Sequence, residues 1–145
     1  MKKFIKQVAL LIFISSVFFT RCKKDDNSSS TSPDVLNSNV QQGKWKITLF
    51  NDSGNDETNH FSGYEFQFNA GGIATAVNGG STVNGTWVSG TDDSQLKLYL
   101  DFGITANFDE LNDDWHVTEQ SSSIIKLEDV SGGGGGTDLL TFEKI

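Results

Sequence analysis

The chain has 145 residues, of which 19 are acidic and 11 basic, and it holds one cysteine. That length suits a single domain, and one Cys excludes an intrachain disulfide and any cysteine-based metal cluster. Four basic residues (Lys2, Lys3, Lys6, Arg21) and no acidic ones precede Cys22, so a chain beginning at Cys22 carries a formal charge of −12; such a surface repels phosphates and anionic headgroups and excludes nucleic acid as a partner.

The amino terminus is basic (MKKFIK) and runs into the apolar segment Val8–Phe19. That apolar run has the length of a signal-peptide core and is too short for a comfortable membrane span, so residues 1–21 are expected to be an export signal. Cys22 follows Phe19-Thr20-Arg21 and precedes Lys23-Lys24-Asp25-Asp26-Asn27. This junction resembles the start of surface lipoproteins of the Bacteroidetes group, with basic and paired acidic residues just after the lipidated cysteine. Arg21 departs from the pattern, which places a small residue there. The resemblance implies acylation of Cys22, a membrane partner through that anchor, and an outer-membrane location on the cell surface, with the periplasmic side as the alternative. Two or more acyl chains anchor stably, since each buried CH₂ contributes about 0.8 kcal/mol. Residues 22–42, rich in Ser, Asn and Asp, cannot build a core and are expected to form a flexible tether, with one helical turn at Pro33–Val40.

From Gly43 to Ile145 the side-chain period becomes two. Trp45, Ile47 and Leu49 alternate with polar residues, as do Tyr64, Phe66 and Phe68, then Leu96, Leu98 and Leu100, then Trp115 and Val117, Ile125 and Leu127, and Leu140 and Phe142. Alternation of this kind marks strands with one face buried and the other in water. Gly72–Val77 and Thr82–Ser89 are two further β-rich segments. Turn residues punctuate the series at Asn69–Gly72, Asn78–Ser81, Ser89–Asp93 and Asn112–Asp114, the signature of short hairpins. Phe108–Leu111 reads as a single helical turn. The expected fold is all-β: an antiparallel up-and-down meander of about eight strands, closed or nearly closed into a barrel, with a two-sheet sandwich as the alternative.

The ordered series Gly43-Lys44-Trp45, Phe66-Gln67-Phe68-Asn69-Ala70-Gly71-Gly72, Gly85-Thr86-Trp87, Leu96-Lys97-Leu98, Asp114-Trp115-His116-Val117, Ile125-Lys126-Leu127 and Leu140–Lys144 resembles the lipocalin-like domain of small bacterial lipoproteins. The resemblance covers residues 43–145. It implies a barrel whose Trp45 plugs one end with Lys144 stacked on it. It also implies an interior, lined by Trp45, Tyr64, Phe66, Phe68, Trp87, Leu98, Trp115 and Phe142, that could take a small apolar or amphiphilic ligand. The middle Thr-Asp-Tyr motif of true lipocalins and their characteristic Arg are both missing, for the one Arg is Arg21.

Catalytic chemistry finds no constellation. His60, beside the polar loop Asn51–Asn59, and His116, on the outward phase of its strand, are expected at the surface without a metal. The acidic groups Asp52/Asp56/Glu57, Asp92/Asp93, Asp109/Glu110 and Asp113/Asp114 read as turn chemistry, with a loop calcium ion over Asn51–Glu57 as the alternative. No nucleophile elbow occurs, and Gly132–Gly136 lacks the Lys-Ser/Thr of a phosphate loop. No cofactor, catalytic residue or enzymatic activity is expected. Two functions stay open: an anchored ligand-binding barrel, or a filled barrel presenting loops to an envelope protein. The loops Asn51–His60 and Ser131–Asp138, the longest, are the expected carriers of recognition.

Overall fold

The computed structural model describes residues 32–130 and 136–145. The expected export signal over residues 1–21, Cys22 and most of the Gly132–Gly136 run lie outside the described residues. Nine strands follow one another: β1 (Trp45–Asp52), β2 (Asn55–Asp56), β3 (Glu65–Asn69), β4 (Ile73–Asn78), β5 (Ser81–Asp92), β6 (Gln95–Asp101), β7 (Asp113–Gln120), β8 (Ile124–Val130) and β9 (Thr137–Lys144). Every neighbouring pair is antiparallel, and β1 pairs with β9 from Trp45↔Lys144 to Asn51↔Leu139, which closes the sheet. The fold is thus a closed eight-strand antiparallel barrel with the two-residue β2 appended to β1.

The β3–β4 and β4–β5 hairpins form where the turn residues stand, but the turn expected at Ser89–Asp93 is mostly strand: β5 runs on to Asp92 and the chain reverses at Asp93 and Ser94, and the one expected at Asn112–Asp114 already belongs to β7 from Asp113. Gly71 and Gly72, between β3 and β4, have φ of +83° and +80°, a conformation that a Cβ would strain. The inward phase follows the apolar alternation, with one correction. A register shift between Ile47 and Leu49 interrupts the β1–β9 ladder. The extra residue turns Phe50 into the core and leaves Leu49, expected inside, half-buried.

The barrel has a helix end and a loop end. At the helix end, α1 (Pro33–Val40) lies against β5, and its Leu36 and Val40, one turn apart, are fully buried. Side-chain hydrogen bonds hold it there. The Trp45 indole N–H donates to the Val40 carbonyl at 2.8 Å, the Ser89 hydroxyl donates to Asn37 Oδ1 at 2.7 Å, and Asn39 donates to Gln120 Oε1 at 3.1 Å. Residues 33–40 therefore belong to the folded domain rather than to the flexible tether expected over residues 22–42: α1 is a plug whose one apolar stripe covers the barrel mouth. At the loop end the chain makes two 3₁₀ turns, Thr58–Phe61 after β2 and Asp109–Leu111 between β6 and β7. They bury Phe61, Phe108 and Leu111, and the adjacent Phe102 joins them.

Candidate functional site

The residues expected to line the interior are brought together there. Trp45, Phe66, Phe68, Trp87, Leu98, Trp115 and Phe142 are all buried, and Tyr64 lies half-buried just before β3 with its ring 5.0 Å from that of Phe108. The rings form a connected chain along the barrel. Trp87 meets Phe68 at 5.9 Å, Phe68 meets Phe142 at 5.5 Å, Phe142 meets Phe66 at 5.4 Å, and Phe66 reaches Phe61 and Phe108 at 6.3 and 6.1 Å. Most are edge-to-face, the arrangement that ring quadrupoles favour. Each indole N–H is satisfied by a carbonyl: Trp45 by Val40, Trp87 by Asn69 and Trp115 by Leu111. Side chains from eight strands thus occupy the axis, and α1 and the two 3₁₀ turns cover the two mouths. Phe50, Phe61, Phe102 and Phe108 were not in the expected interior; their signal is apolar rings placed in or beside otherwise polar loops. Lys144 is the register partner of Trp45, and its Cε lies over Gly43, 2.9 Å from where a Cβ would stand.

The loop end gathers what sequence separates. Ser53, in the loop after β1, donates its backbone N–H to Asp138 Oδ1 at 2.8 Å, and a Cβ on Gly136 would stand 2.7 Å from Ser53 Cα. The loop 51–60 and residues 136–138 therefore lie at the same end. Beside them the β1–β3 seam is thin: Trp45↔Phe66 is the only register pair, against five between β3 and β4. Past that pair β1 turns away to β2, and a solvent-open groove of about 640 Å³ is left between β1 and the first 3₁₀ turn. Its wall is mainly polar, with Lys46, Thr48, Asp56, Thr58, Asn59 and Ser62 around Ile47 and Phe61. The hydroxyl and the backbone N–H of Thr58 hold the Asp56 carboxyl below the usual carboxylate range, so it stands in the groove ionised.

Both histidines pair with carboxylates. His116 Nδ1 lies 3.1 Å from Glu128 Oε1 on the outer barrel wall. His60 Nδ1 lies 3.1 Å from Glu110 Oε2 and 3.7 Å from Glu57 Oε2, so the two 3₁₀ turns bring one imidazole and two carboxylates together. Asp113, Asp114 and Asp129 form a second group with donor atoms close enough for an ion. Asp113, exposed at the start of β7, has its carboxyl pushed up: partial desolvation is the largest cause, and the Asp129 and Asp114 charges add to it, while the Asp114 N–H opposes. A carboxyl whose folded pKa is raised stabilises the fold while protonated, at pH below its unfolded value near ~3.9, and loses that contribution as pH rises through the folded value. Asp113→Asn is therefore expected to raise the melting temperature at pH 7 and to make no difference below about pH 4. Thermal unfolding of both proteins across that range checks it; an equal gain at pH 3 and pH 7 would assign the effect to something other than charge.

The fold defines the class as a small closed antiparallel β-barrel with a helical plug. Among solved structures, that of a DUF4847 family protein from Bacteroides vulgatus matches at a TM-score of 0.50 and 17% identity, covering 76% of this chain and 97% of the other. At that identity the likeness is one of fold alone. No family model matches the chain, and comparison with curated proteins gives no match.

Proposed function

We propose that this chain is an envelope lipoprotein that works without enzymatic chemistry, as an interaction module with a solid, lipocalin-like barrel. The observation that carries the reading is the filled interior: Trp45, Phe66, Trp115 and Phe142 have at most 1% of their surface exposed and belong to one continuous hydrophobic core. Recognition then falls to the outside. The loop end supports it best, with its longest connections and a polar groove of the size that a ligand or peptide segment occupies. The lipocalin-like element is supported by the eight-strand meander and by Gly43-x-Trp45 facing Lys144 across the closing seam.

Orientation follows from chain order. Cys22 precedes α1, and α1 sits at the helix end. An acyl anchor at Cys22 directs that end toward the outer membrane and turns the loop end toward an envelope partner. The test has two arms. Palmitate labelling in an acylating host should mark the protein and vanish in Cys22→Ser. A fluorescent apolar probe such as N-phenylnaphthylamine should give no saturable quenching of the three Trp residues. Unlabelled wild-type protein would remove the anchor. Stoichiometric probe binding that is lost in Phe66→Leu would replace the solid barrel with a ligand carrier.

A further inference from the structure

We propose that His60, Glu57 and Glu110 form a binding site for a first-row divalent cation of the zinc class at the loop end. This goes beyond the interaction reading and does not depend on it. The donor atoms all lie within 4.8 Å of one another. Ligands of a tetrahedral ion with bonds of about 2.0–2.1 Å stand about 3.3 Å apart. The two separations from His60 Nδ1, 3.1 and 3.7 Å, bracket that value. Closing the third requires rotation of the two Glu side chains, Glu110 and Glu57, which are 31% and 28% exposed.

The backbone already holds the ligands in place. His60 N–H donates to the Glu57 carbonyl at 2.9 Å, which sets these two side chains one 3₁₀ turn apart on one face. Glu110 comes from the other turn, 50 residues later in the chain. The two turns are pinned together from below, because Phe61 and Phe108 are buried with their rings 5.5 Å apart. A site on anchored elements of this kind is pre-arranged rather than dependent on loop closure.

The charge balance also points to a cation. Among the described residues, each Glu has His60 as its sole ion-pair partner. Nδ1 carries at most one proton, so it can donate fully to one carboxylate and leaves the second facing a like charge. A dication bound by both carboxylates and the imidazole satisfies all three. The imidazole sets the class: nitrogen with carboxylate oxygen suits zinc and its neighbours, whereas calcium and magnesium take oxygen-only shells. Three protein ligands leave a fourth position for water or for a donor from a bound partner. The Asp113/Asp114/Asp129 group offers oxygen alone and has no comparable second feature.

The test uses the full chain in mild detergent, carrying Cys22→Ser so that no thiol offers a sulfur ligand, and without an affinity tag. Calorimetric titration with ZnCl₂ should show one equivalent bound and a raised melting temperature. CaCl₂ and MgCl₂ at the same concentration should produce neither. His60→Gln and Glu110→Gln should each weaken zinc binding at least tenfold, and His116→Gln should leave it unchanged. Cobalt(II) supplies a second readout, with ligand-field bands present in the parent protein and lost in His60→Gln. Metal-free melting curves identify a variant that has failed to fold, and the other variant then decides. Zinc affinity that survives both substitutions, loss of affinity in His116→Gln instead, or no stoichiometric binding would overturn the site.

Discussion

Phe142→Ala is expected to lower the folding stability by about 3–5 kcal/mol, a large share of the ~5–15 kcal/mol that holds a domain of this kind. Phe142 is fully buried in β9, between Ile47 of β1 and Ile125 of β8, and its ring meets Phe66 at 5.4 Å and Phe68 at 5.5 Å. Truncation removes the ring at the middle of the aromatic chain and leaves a void. Its walls belong to strands held in the closed sheet, which limits their collapse into it, and the cavity adds to the lost transfer energy. Urea denaturation measures the effect. Because the two rings touch, Phe66→Ala and Phe142→Ala together should cost less than the sum of the single losses, by about 0.5 kcal/mol or more. A loss under about 1 kcal/mol for Phe142→Ala would mean that the interior has slack, and the solid-barrel reading would fall with it.

The barrel was legible because a strand repeats every two residues. Trp115 and Val117, or Phe66 and Phe68, declare their side of the sheet locally, and hairpin turns such as Asn69–Gly72 declare the order. Where the repeat breaks, so does the reading. Leu49 shows no local sign of the shift that puts Phe50 inside, because that shift is set by the pairing with β9, some 90 residues on. The helical turns at Pro33–Val40 and Phe108–Leu111 were legible, but their role as plugs was hidden for a different reason. The α1 segment PDVLNSNV has only three apolar side chains among polar ones, which resembles tether composition. Its signal is the spacing of Leu36 and Val40 behind a Pro at the first helical position, and that spacing acquires meaning only once there is a barrel mouth to cover.

The candidate metal ligands divide in the same way. Glu57 and His60 stand three residues apart, which puts both on one face of a tight turn, and that much is visible in sequence. Glu110 belongs to a different acidic pair and looks like turn chemistry until Phe61 and Phe108 are seen to share one core. Aromatic packing thus does two things in this molecule. It fills the space that a ligand would need, and it fixes the backbone of the two turns that carry the exposed polar groups. Loop residues on such a foundation can present a constant geometry to a partner at little entropic cost.

Leu36→Asp tests whether α1 belongs to that foundation. Leu36 is fully buried beneath the helix, and a carboxylate cannot stay ionised there without a partner. Expelling it releases α1 and gives up the burial of Leu36 and Val40, each about 1.5–3 kcal/mol, together with the bonds from Trp45 to Val40, Ser89 to Asn37 and Asn39 to Gln120. Freed polar groups recover water, so the expected net loss is about 3–5 kcal/mol by urea denaturation. The strands themselves are intact, so the barrel should remain folded with one mouth open. Hydrogen exchange at the Trp45 indole N–H separates the possibilities: it should accelerate strongly in Leu36→Asp and stay slow in Asp34→Asn, a substitution on the exposed side of the same helix. A stability change within about 0.5 kcal/mol, the range of a surface substitution, would return α1 to the tether and leave Trp45 to close the barrel alone.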